Sequence, residues 1–291
     1  MKIAVCVKQV LYTGGPFEID RQSGLACLKD TEPIYTTSVA DRSMLEEALI
    51  LRDEIGGEVI ALTMGPAGAV AALHICLARG ADRAIHLLDD ESLTNDPYRT
   101  GWVLSRAIAE EGFDLILCGT KSPDEGSSQL PSILAELLVL PQVTGVIKME
   151  VSASEKKVQA VRRLERGRRE RVECPLPAVI GGEPGIREPG YVSVWAQREA
   201  MRRKIETRPV ASFNMGCQAA PLTRVVDLTQ PRPRVKKTPR PDAQMSAAQR
   251  INFILGGGMA KKEKALLLEG PLEKMVDQVL DTLEREGIRL R

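Results

Sequence analysis

The stretch Asp114–Gln142, DLILCGTKSPDEGSSQLPSILAELLVLPQ, decides the fold because a strand, a polar loop and a helix follow one another in it without interruption. Leu115–Cys118 is a short apolar run of the kind that is buried on both faces of a parallel sheet. Pro131 suits the first turn of the following helix, Leu130–Leu138, because that position needs no N–H donor. The segment therefore predicts one strand and one helix of an α/β sheet.

The loop between that strand and that helix is small and polar from residue 122 to residue 128. Free N–H groups at the helix start, together with the hydroxyls of Ser127 and Ser128, suit a phosphate. The alternative interpretation is that the two serines only cap the helix. The loop is thus a candidate anion site, with helix capping left open.

Short β-rich runs alternate with amphipathic helical patterns through the first two thirds of the chain, which predicts a mostly parallel sheet covered by helices. Ser43 and Glu46 have the spacing of a capping box, and Asp96 before Pro97 predicts another helix start. The predicted strands are Lys2–Val10, Glu58–Met64, Ala84–Leu88 and Leu115–Cys118, and the predicted helices are Ser43–Ile55, Val70–Ala78, Pro97–Glu111 and Leu130–Leu138.

After Gln142 the pattern changes to strands and then to an arm. Val143–Val151, Val158–Leu164 and Arg168–Cys174 predict an antiparallel set, and Ala178–Gly181 predicts a further strand. Leu228–Asp242 is rich in Pro and Arg and predicts an extended segment, and Leu272–Glu286 predicts an amphipathic helix. We therefore expect an α/β domain over 1–225 and an arm with a terminal helix over 226–291.

Composition excludes several function classes. A net charge of +1 and 3% aromatic residues argue against nucleic-acid binding, although 162–171 is locally basic. His74 and His86 have no Ser or Cys nucleophile motif near them, which argues against acid–base catalysis by histidine and favours packing roles for both. The six scattered cysteines lack a CxxC pair and predict reduced core residues rather than a metal site. No run approaches the roughly 18 apolar residues that a membrane helix needs, so we expect no membrane insertion and a cytoplasmic location.

At this point the chain resembles the beta (small) subunit of electron-transfer flavoproteins. The resemblance covers nearly the whole chain and depends on the order and spacing of several segments. These are KIAVCVKQV at 2–10, LEEAL at 45–49, VIALTMGPAGA at 59–69, RGADRAIHL at 79–87, the long loop segment at 117–146, PLPAVIGGEPGIREPGY at 175–191 and EGPLEKMVDQVLDTLEREG at 269–287.

The resemblance implies a heterodimer with a larger alpha subunit, which supplies most contacts to a redox-active FAD. This subunit would hold a second nucleotide, usually AMP, or a second FAD in flavin-bifurcating relatives. The complex would carry electrons from flavin-dependent dehydrogenases, such as acyl-CoA dehydrogenases, to a quinone-linked or other acceptor. The fold implied is a three-layer α/β/α sandwich with a Rossmann-like, mostly parallel sheet of the adenine-nucleotide-binding type. In that reading the chain is not an enzyme, and the C-terminal arm contacts the alpha subunit.

The resemblance also implies which residues surround the nucleotide, all at carboxyl ends of parallel strands, where ligands bind in open α/β sheets. Phosphate contacts are expected from Asp124, Ser127, Ser128 and Gln129, with the carboxylates of Asp124 and Glu125 holding the loop's shape or accepting from a ribose or amine. The candidate cofactor-binding residues are Cys6, Val7, Lys8, Ser38, Val39, Ala40, Asp41, Met64, Gly65, Gly119, Thr120, Lys121, Ser122, Pro123, Asp124, Glu125, Gly126, Ser127, Ser128, Gln129 and Leu130.

Two departures from the family pattern leave the nucleotide's identity open. Ser38 and Val39 stand where relatives commonly have Asn-Pro, and 124–126 reads Asp-Glu-Gly where the loop is commonly D-x-D-T/S-x-Q. AMP is the default expectation. A nucleotide-hydrolysing or adenylating enzyme is the rival from another class, but neither a Walker-type loop nor an SGGxDS-type loop is present.

A further segment, REPGYVSVWAQREAMRRK, matches the family's recognition loop, which docks on partner dehydrogenases. Tyr191, Val194 and Trp195 are the candidate docking residues, and Val194 falls where relatives place an anchoring Leu. A small apolar tip in a charged rim suits a transient interface. The alternative is that Val194 and Trp195 begin a helix that packs on the core.

Overall fold

The computed structural model describes residues 1–12, 17–19, 26–28, 34–89, 96–213, 220–223, 226, 245–255 and 270–285. The chain divides into two compact units, Met1–Gln230 and Pro231–Arg291. The predicted extended segment 228–242 lies outside the described residues.

A nine-stranded sheet forms the centre of the first unit. Its strands are β1 (Lys2–Cys6), β6 (Glu58–Gly65), β7 (Arg83–Leu88), β8 (Leu115–Gly119), β9 (Gln142–Ser152), β10 (Lys157–Arg163), β11 (Arg169–Pro175), β12 (Ala178–Gly182) and β13 (Glu206–Pro209). Two-stranded sheets pair β2 (Gln9–Leu11) with β5 (Tyr35–Thr37) and β3 (Phe17–Ile19) with β4 (Ala26–Leu28).

The order across the large sheet is β11-β10-β9-β12-β8-β1-β6-β7-β13. From β9 to β13 all neighbouring strands are parallel, whereas β10 is antiparallel to both of its neighbours. The predicted antiparallel set is therefore an extension of one edge of the sheet. The parallel part brings the carboxyl ends of β6, β1 and β8 side by side.

Helices cover both faces of the sheet, since the apolar residues of consecutive strand positions alternate between two cores. Buried residues of α1 (Val39–Ile55), α2 (Val70–Arg79) and α5 (Val194–Arg202) pack in one core, and those of α3 (Pro97–Glu111) and α4 (Leu130–Leu138) pack in the other. The predicted three-layer α/β/α class with an antiparallel addition is confirmed. The second unit contributes α6 (Ala247–Leu255) and α7 (Leu272–Arg285).

Two local predictions were wrong. The predicted strand Lys2–Val10 is two strands, because the chain leaves the sheet after Val7, whose N–H donates to Leu62 O at 2.8 Å, and the next N–H, that of Lys8, donates to the Asp41 carboxylate. Helix α1 starts at Val39, not at Ser43, with Ser38 at its N-cap. The side chain of Ser43 is buried inside α1 and its hydroxyl accepts from the backbone N–H of Gly185 at 3.2 Å, so Ser43 and Glu46 form no capping box.

Candidate functional site

A cavity opens at the carboxyl edge of the sheet, where β1, β6 and β8 end side by side. Part of its wall comes from residues that the sequence nominated, and part from the end of β6 and the first two turns of α3. The lining residues are Cys6, Val7, Lys8, Asp41, Leu62, Thr63, Met64, Pro97, Thr100, Leu104, Gly119, Thr120, Ser122, Glu125, Ser127, Ser128, Gln129 and Leu130.

Asp41, in the first turn of α1, joins the ends of two strands at the base of this cavity. Its Oδ2 accepts from the backbone N–H of Lys8 at 2.8 Å, and its Oδ1 accepts from the backbone N–H of Gly119 at 3.0 Å. A Cβ on Gly119 would lie 2.4 Å from Asp41 Oδ1, so this strand end needs glycine. Burial raises the pKa of Asp41 to about 6, although the two N–H donors and the Lys8 ammonium lower it. One buried carboxylate therefore fixes the floor of the cavity.

The acidic part of the loop after β8 pairs with Lys8, two residues after the end of β1. Lys8 Nζ lies 2.9 Å from Asp124 Oδ2 and 3.1 Å from Glu125 Oε2. Asp124 Oδ1 also accepts from the backbone N–H of Glu125 at 2.7 Å. Burial raises the pKa of Asp124, but hydrogen bonds from Ser122 and Lys8 outweigh it and hold the pKa below its ordinary value. Asp124 thus shapes the loop, and its side chain does not line the cavity.

The loop then turns into α4 through two residues in the left-handed conformation. Gly126 has φ 62° and Ser128 has φ 56°, a conformation that a serine rarely adopts. The N-cap of α4 is Gln129, whose side chain makes no capping bond, so neither Ser127 nor Ser128 caps the helix. Ser127, Ser128 and Gln129 instead line the cavity beside the uncapped N–H groups of the helix start.

One polar atom in the cavity wall has no partner within the described protein. The hydroxyl oxygen of Thr120 is buried and makes no hydrogen bond. Buried hydroxyls are nearly always satisfied, and leaving one unmet costs about 1–3 kcal/mol. A ligand oxygen or nitrogen in the cavity would supply the missing partner, so the chemistry of the wall fits a small polar ligand such as a nucleotide.

Several nominated residues lie near the cavity without lining it. Ser38 is the buried N-cap of α1, and its N–H donates to Lys8 O at 3.1 Å. Gly65 ends β6, and its carbonyl lies 3.1 Å from His86 Nε2. The nominated residues outside the wall are Ser38, Val39, Ala40, Gly65, Lys121, Pro123, Asp124 and Gly126.

Sequence reasoning missed five residues of the wall: Leu62, Thr63, Pro97, Thr100 and Leu104. Leu62 and Thr63 precede the nominated end of β6. The other three recur about one helical turn apart from the start of α3, and this spacing was an available signal that one side of that helix faces the strand ends.

The candidate docking residues lie together on the surface. Exposure is 91% for Tyr191, 65% for Val194 and 75% for Trp195. Val194 does begin helix α5, where the Ser193 hydroxyl accepts from the Ala196 N–H at 3.1 Å. The helix packs on the core through the buried Ala200, and the Val194 and Trp195 side chains stay exposed.

The metal-ligating side chains in the described part of the chain do not gather into a site. Within it, no group of three or more His, Cys, Asp or Glu residues could hold a metal ion. His74 and His86 each meet a backbone carbonyl. Cys6, Cys76, Cys118 and Cys174 are free and buried, as predicted, whereas the side chains of Cys27 and Cys217 lie outside the described part. Across the described ranges no helix is both long and apolar enough to cross a membrane.

Comparison with known proteins identifies the family. The sequence model of the electron transfer flavoprotein domain matches residues 35–212. The electron transfer flavoprotein subunit beta of Methylophilus methylotrophus is 30% identical over 285 residues, which cover 97% of this chain and 98% of the relative. The subunit of that name from Mycobacterium bovis is 33% identical over 226 residues, 73% of this chain and 80% of its own length.

A third relative has a different name. The caffeyl-CoA reductase-Etf complex subunit CarD of Acetobacterium woodii is 34% identical over 208 residues, which cover 70% of this chain and 77% of the relative. These names, the domain match and the α/β sheet agree with the resemblance drawn from the sequence. The chain belongs to the electron transfer flavoprotein family, as a beta subunit that carries electrons and is not itself an enzyme.

Proposed function

We propose that this beta subunit holds an adenine nucleotide, AMP by default, in the cavity at the ends of β1, β6 and β8. The observation that carries the proposal is the buried, unpartnered hydroxyl of Thr120 in a wall that also contains the uncapped start of α4. The N–H groups of that start, with Ser127 and Ser128, would bind the phosphate. Leu62, Met64 and Leu104 form an apolar part of the wall that would contact the adenine base.

The partner would be an alpha subunit, because the relatives are named as beta subunits of a flavoprotein. The heterodimer would share a redox-active FAD that is bound mainly by the alpha subunit. The FAD would supply the electron chemistry, whereas this chain would supply shape and electrostatics. The second unit would contact the alpha subunit, because α7 exposes an apolar side: Leu272 is 74% and Val276 48% exposed. The arm 226–291 is the segment to which we assign this contact.

The donors would be flavin-dependent dehydrogenases such as acyl-CoA dehydrogenases, and the electrons would pass to a quinone-linked or other acceptor. Tyr191, Val194 and Trp195 would dock the donor, because exposed aromatic and aliphatic side chains on a short helix make a small hot spot. The buried free thiols accord with a cytoplasmic location, which we also propose. The main alternative is a flavin-bifurcating complex with FAD instead of AMP in the cavity of this subunit.

The deciding experiment is co-expression with the alpha subunit, purification, and chromatography of the nucleotides released on denaturation. One FAD and one AMP per heterodimer would support the simple carrier, and two FAD would support bifurcation. Failure to form a complex would contradict the proposed alpha-subunit partner, and release of no nucleotide besides a single FAD would contradict the proposed nucleotide site.

A further inference from the structure

The loop 183–190, between β12 and the docking residues, lies against helix α1 and is fastened there at two points. The Gly185 N–H donates to Ser43 Oγ at 3.2 Å, and Arg187 Nε donates to Glu47 Oε2 at 2.5 Å. Ser43 and Glu47 are four residues apart and so share one side of α1. The Glu47 side chain is only 2% exposed, whereas that of Arg187 is 47% exposed.

The last residue of this loop is fixed between two helices. Arg79 Nη1, at the end of α2, donates to Gly190 O at 3.0 Å and lies 3.7 Å from Glu46 Oε2 of α1. A Cβ on Gly190 would lie 3.2 Å from Glu46 Oε1, so the backbone approaches that carboxylate closely. Gly190 immediately precedes Tyr191, the first candidate docking residue.

The far end of the docking segment is fixed to α2 and to the turn that follows it. The Nδ1 of His74 lies 3.0 Å from Ala200 O, and Arg203 Nη1 donates to Ala81 O at 3.1 Å. Between Gly190 and Ala200 the side chains of Val194 and Trp195 are exposed. The segment is thus held at both ends and presents its apolar side chains between them.

We propose that Ser43, Glu46, Glu47 and Arg79 are positioning residues for docking: they form a seat that holds the segment 190–200 in the shape that the donor dehydrogenase binds. This inference rests on the proposed docking role of Tyr191, Val194 and Trp195. A segment that is already ordered loses less conformational entropy on association than one that must order in the complex.

The choice of residues supports a positioning role over packing alone. A buried carboxylate such as Glu47 is expensive to bury, and an apolar residue would fill the same place at lower cost. Ser43, Glu47 and Arg79 each make a polar contact with the loop 183–190, and Glu46 pairs with Arg79, so these contacts hold the chain just before Tyr191.

The test uses the heterodimer with its FAD. Two seat variants weaken the contacts between the seat and the loop: Arg79→Gln changes a residue of the seat, and Arg187→Gln removes the loop's charged partner of Glu47. Trp195→Ala removes a docking side chain and serves as a reference. Arg208→Gln is the matched control, because Arg208 is a similarly buried arginine that pairs with Glu110, Glu111 and Glu206 and contacts neither the loop nor the cavity. The readouts are the KM and kcat of an acyl-CoA dehydrogenase with the heterodimer as acceptor, and reduction by dithionite.

We expect both seat variants to raise the KM for the heterodimer by about three- to tenfold, as an ordering cost of one or two side chains predicts. The kcat at saturation, the dithionite rate and the bound nucleotide should match those of the control. Amide hydrogen exchange over 190–196 should also be faster in the seat variants and unchanged in the control. Arg79→Lys should raise the KM less than Arg79→Gln does, because lysine keeps a hydrogen-bond donor.

Three results would overturn the inference. If Trp195→Ala raises the KM but neither seat variant does, docking stands and the seat does not position it. If Trp195→Ala leaves the KM unchanged, the proposed docking role fails and the inference falls with it. If Arg187→Gln changes exchange and KM no more than Arg208→Gln does, the effect is general destabilisation. Arg187, being half-exposed, keeps the test usable if Arg79→Gln does not assemble.

Discussion

Replacing Asp41 with Asn tests whether ionisation of this buried carboxylate, at the floor of the cavity, lowers the free energy of unfolding. Burial raises its pKa from 3.8 to about 6, so the folded protein binds the proton more tightly than the unfolded chain does. The favourable contribution of the protonated form is complete below pH 3.8 and is lost as the pH rises through 6. A shift of this size lowers the free energy of unfolding by about 3 kcal/mol between a pH below 3.8 and pH 7.5. About 2 kcal/mol of that loss falls between pH 4.5 and pH 7.5.

The variant Asp41→Asn removes the titration but leaves one of the two N–H donors, from Lys8 and Gly119, without an oxygen acceptor. That loss costs about 1–3 kcal/mol at every pH. We therefore expect the stability of the variant relative to the natural protein to improve by about 2 kcal/mol from pH 4.5 to pH 7.5. Urea unfolding of both proteins across this range measures the difference. A difference that does not change with pH would refute the raised pKa.

Three further outcomes follow from the described contacts. Thr120→Val should weaken nucleotide retention about tenfold and make the nucleotide-free protein about 1–3 kcal/mol more stable, because the hydroxyl has no partner within the described protein; equal retention by the two proteins would show that the ligand does not meet this hydroxyl. Val194→Asp should slow electron transfer from the dehydrogenase and leave bound FAD unchanged; a parallel loss of flavin would place Val194 in a structural role. Burial raises the pKa of Glu111, but Lys2, Arg208 and Arg83 lower it to about 2, so its stabilisation is present above pH 4.5 and lost toward pH 2. Glu111→Gln should therefore cost about 3 kcal/mol at pH 7 and almost nothing near pH 2, and equal urea midpoints at pH 7 would contradict the ion-pair network.

Helices whose ends are set by neighbouring residues were predicted correctly from the sequence. Helices α3 and α4 match their predicted ranges because Pro stands in the first turn of each, and Gly112 follows α3. The Asp96 N-cap is confirmed, since its carboxylate accepts from the Arg99 N–H at 2.8 Å. In these places the sequence neighbours of the helix end are also its spatial partners.

The misses share the opposite property. Ser43 and Glu46 imitate a capping box, but their partners, Gly185 and Arg79, come from elsewhere in the chain. The break after Cys6 depends on a carboxylate 33 residues away from Lys8. Likewise, no local pattern indicates that β12 inserts between β8 and β9 as a parallel strand. Contacts between distant segments set these features, and the hydrophobic periodicity of one sequence does not indicate which distant segments come together.

Under the proposed function, an acidic loop would face the phosphate of the nucleotide. Lys8 is the only cation among the described lining residues, and both Asp124 and Glu125 already neutralise it. An anion in this cavity would therefore be held mainly by neutral donors, the N–H groups at the start of α4 and the hydroxyls of Thr120, Ser127 and Ser128. Such donors act only where the backbone aims them, so for the proposed nucleotide the left-handed turn at Gly126 and Ser128 would matter more than the charge of the loop.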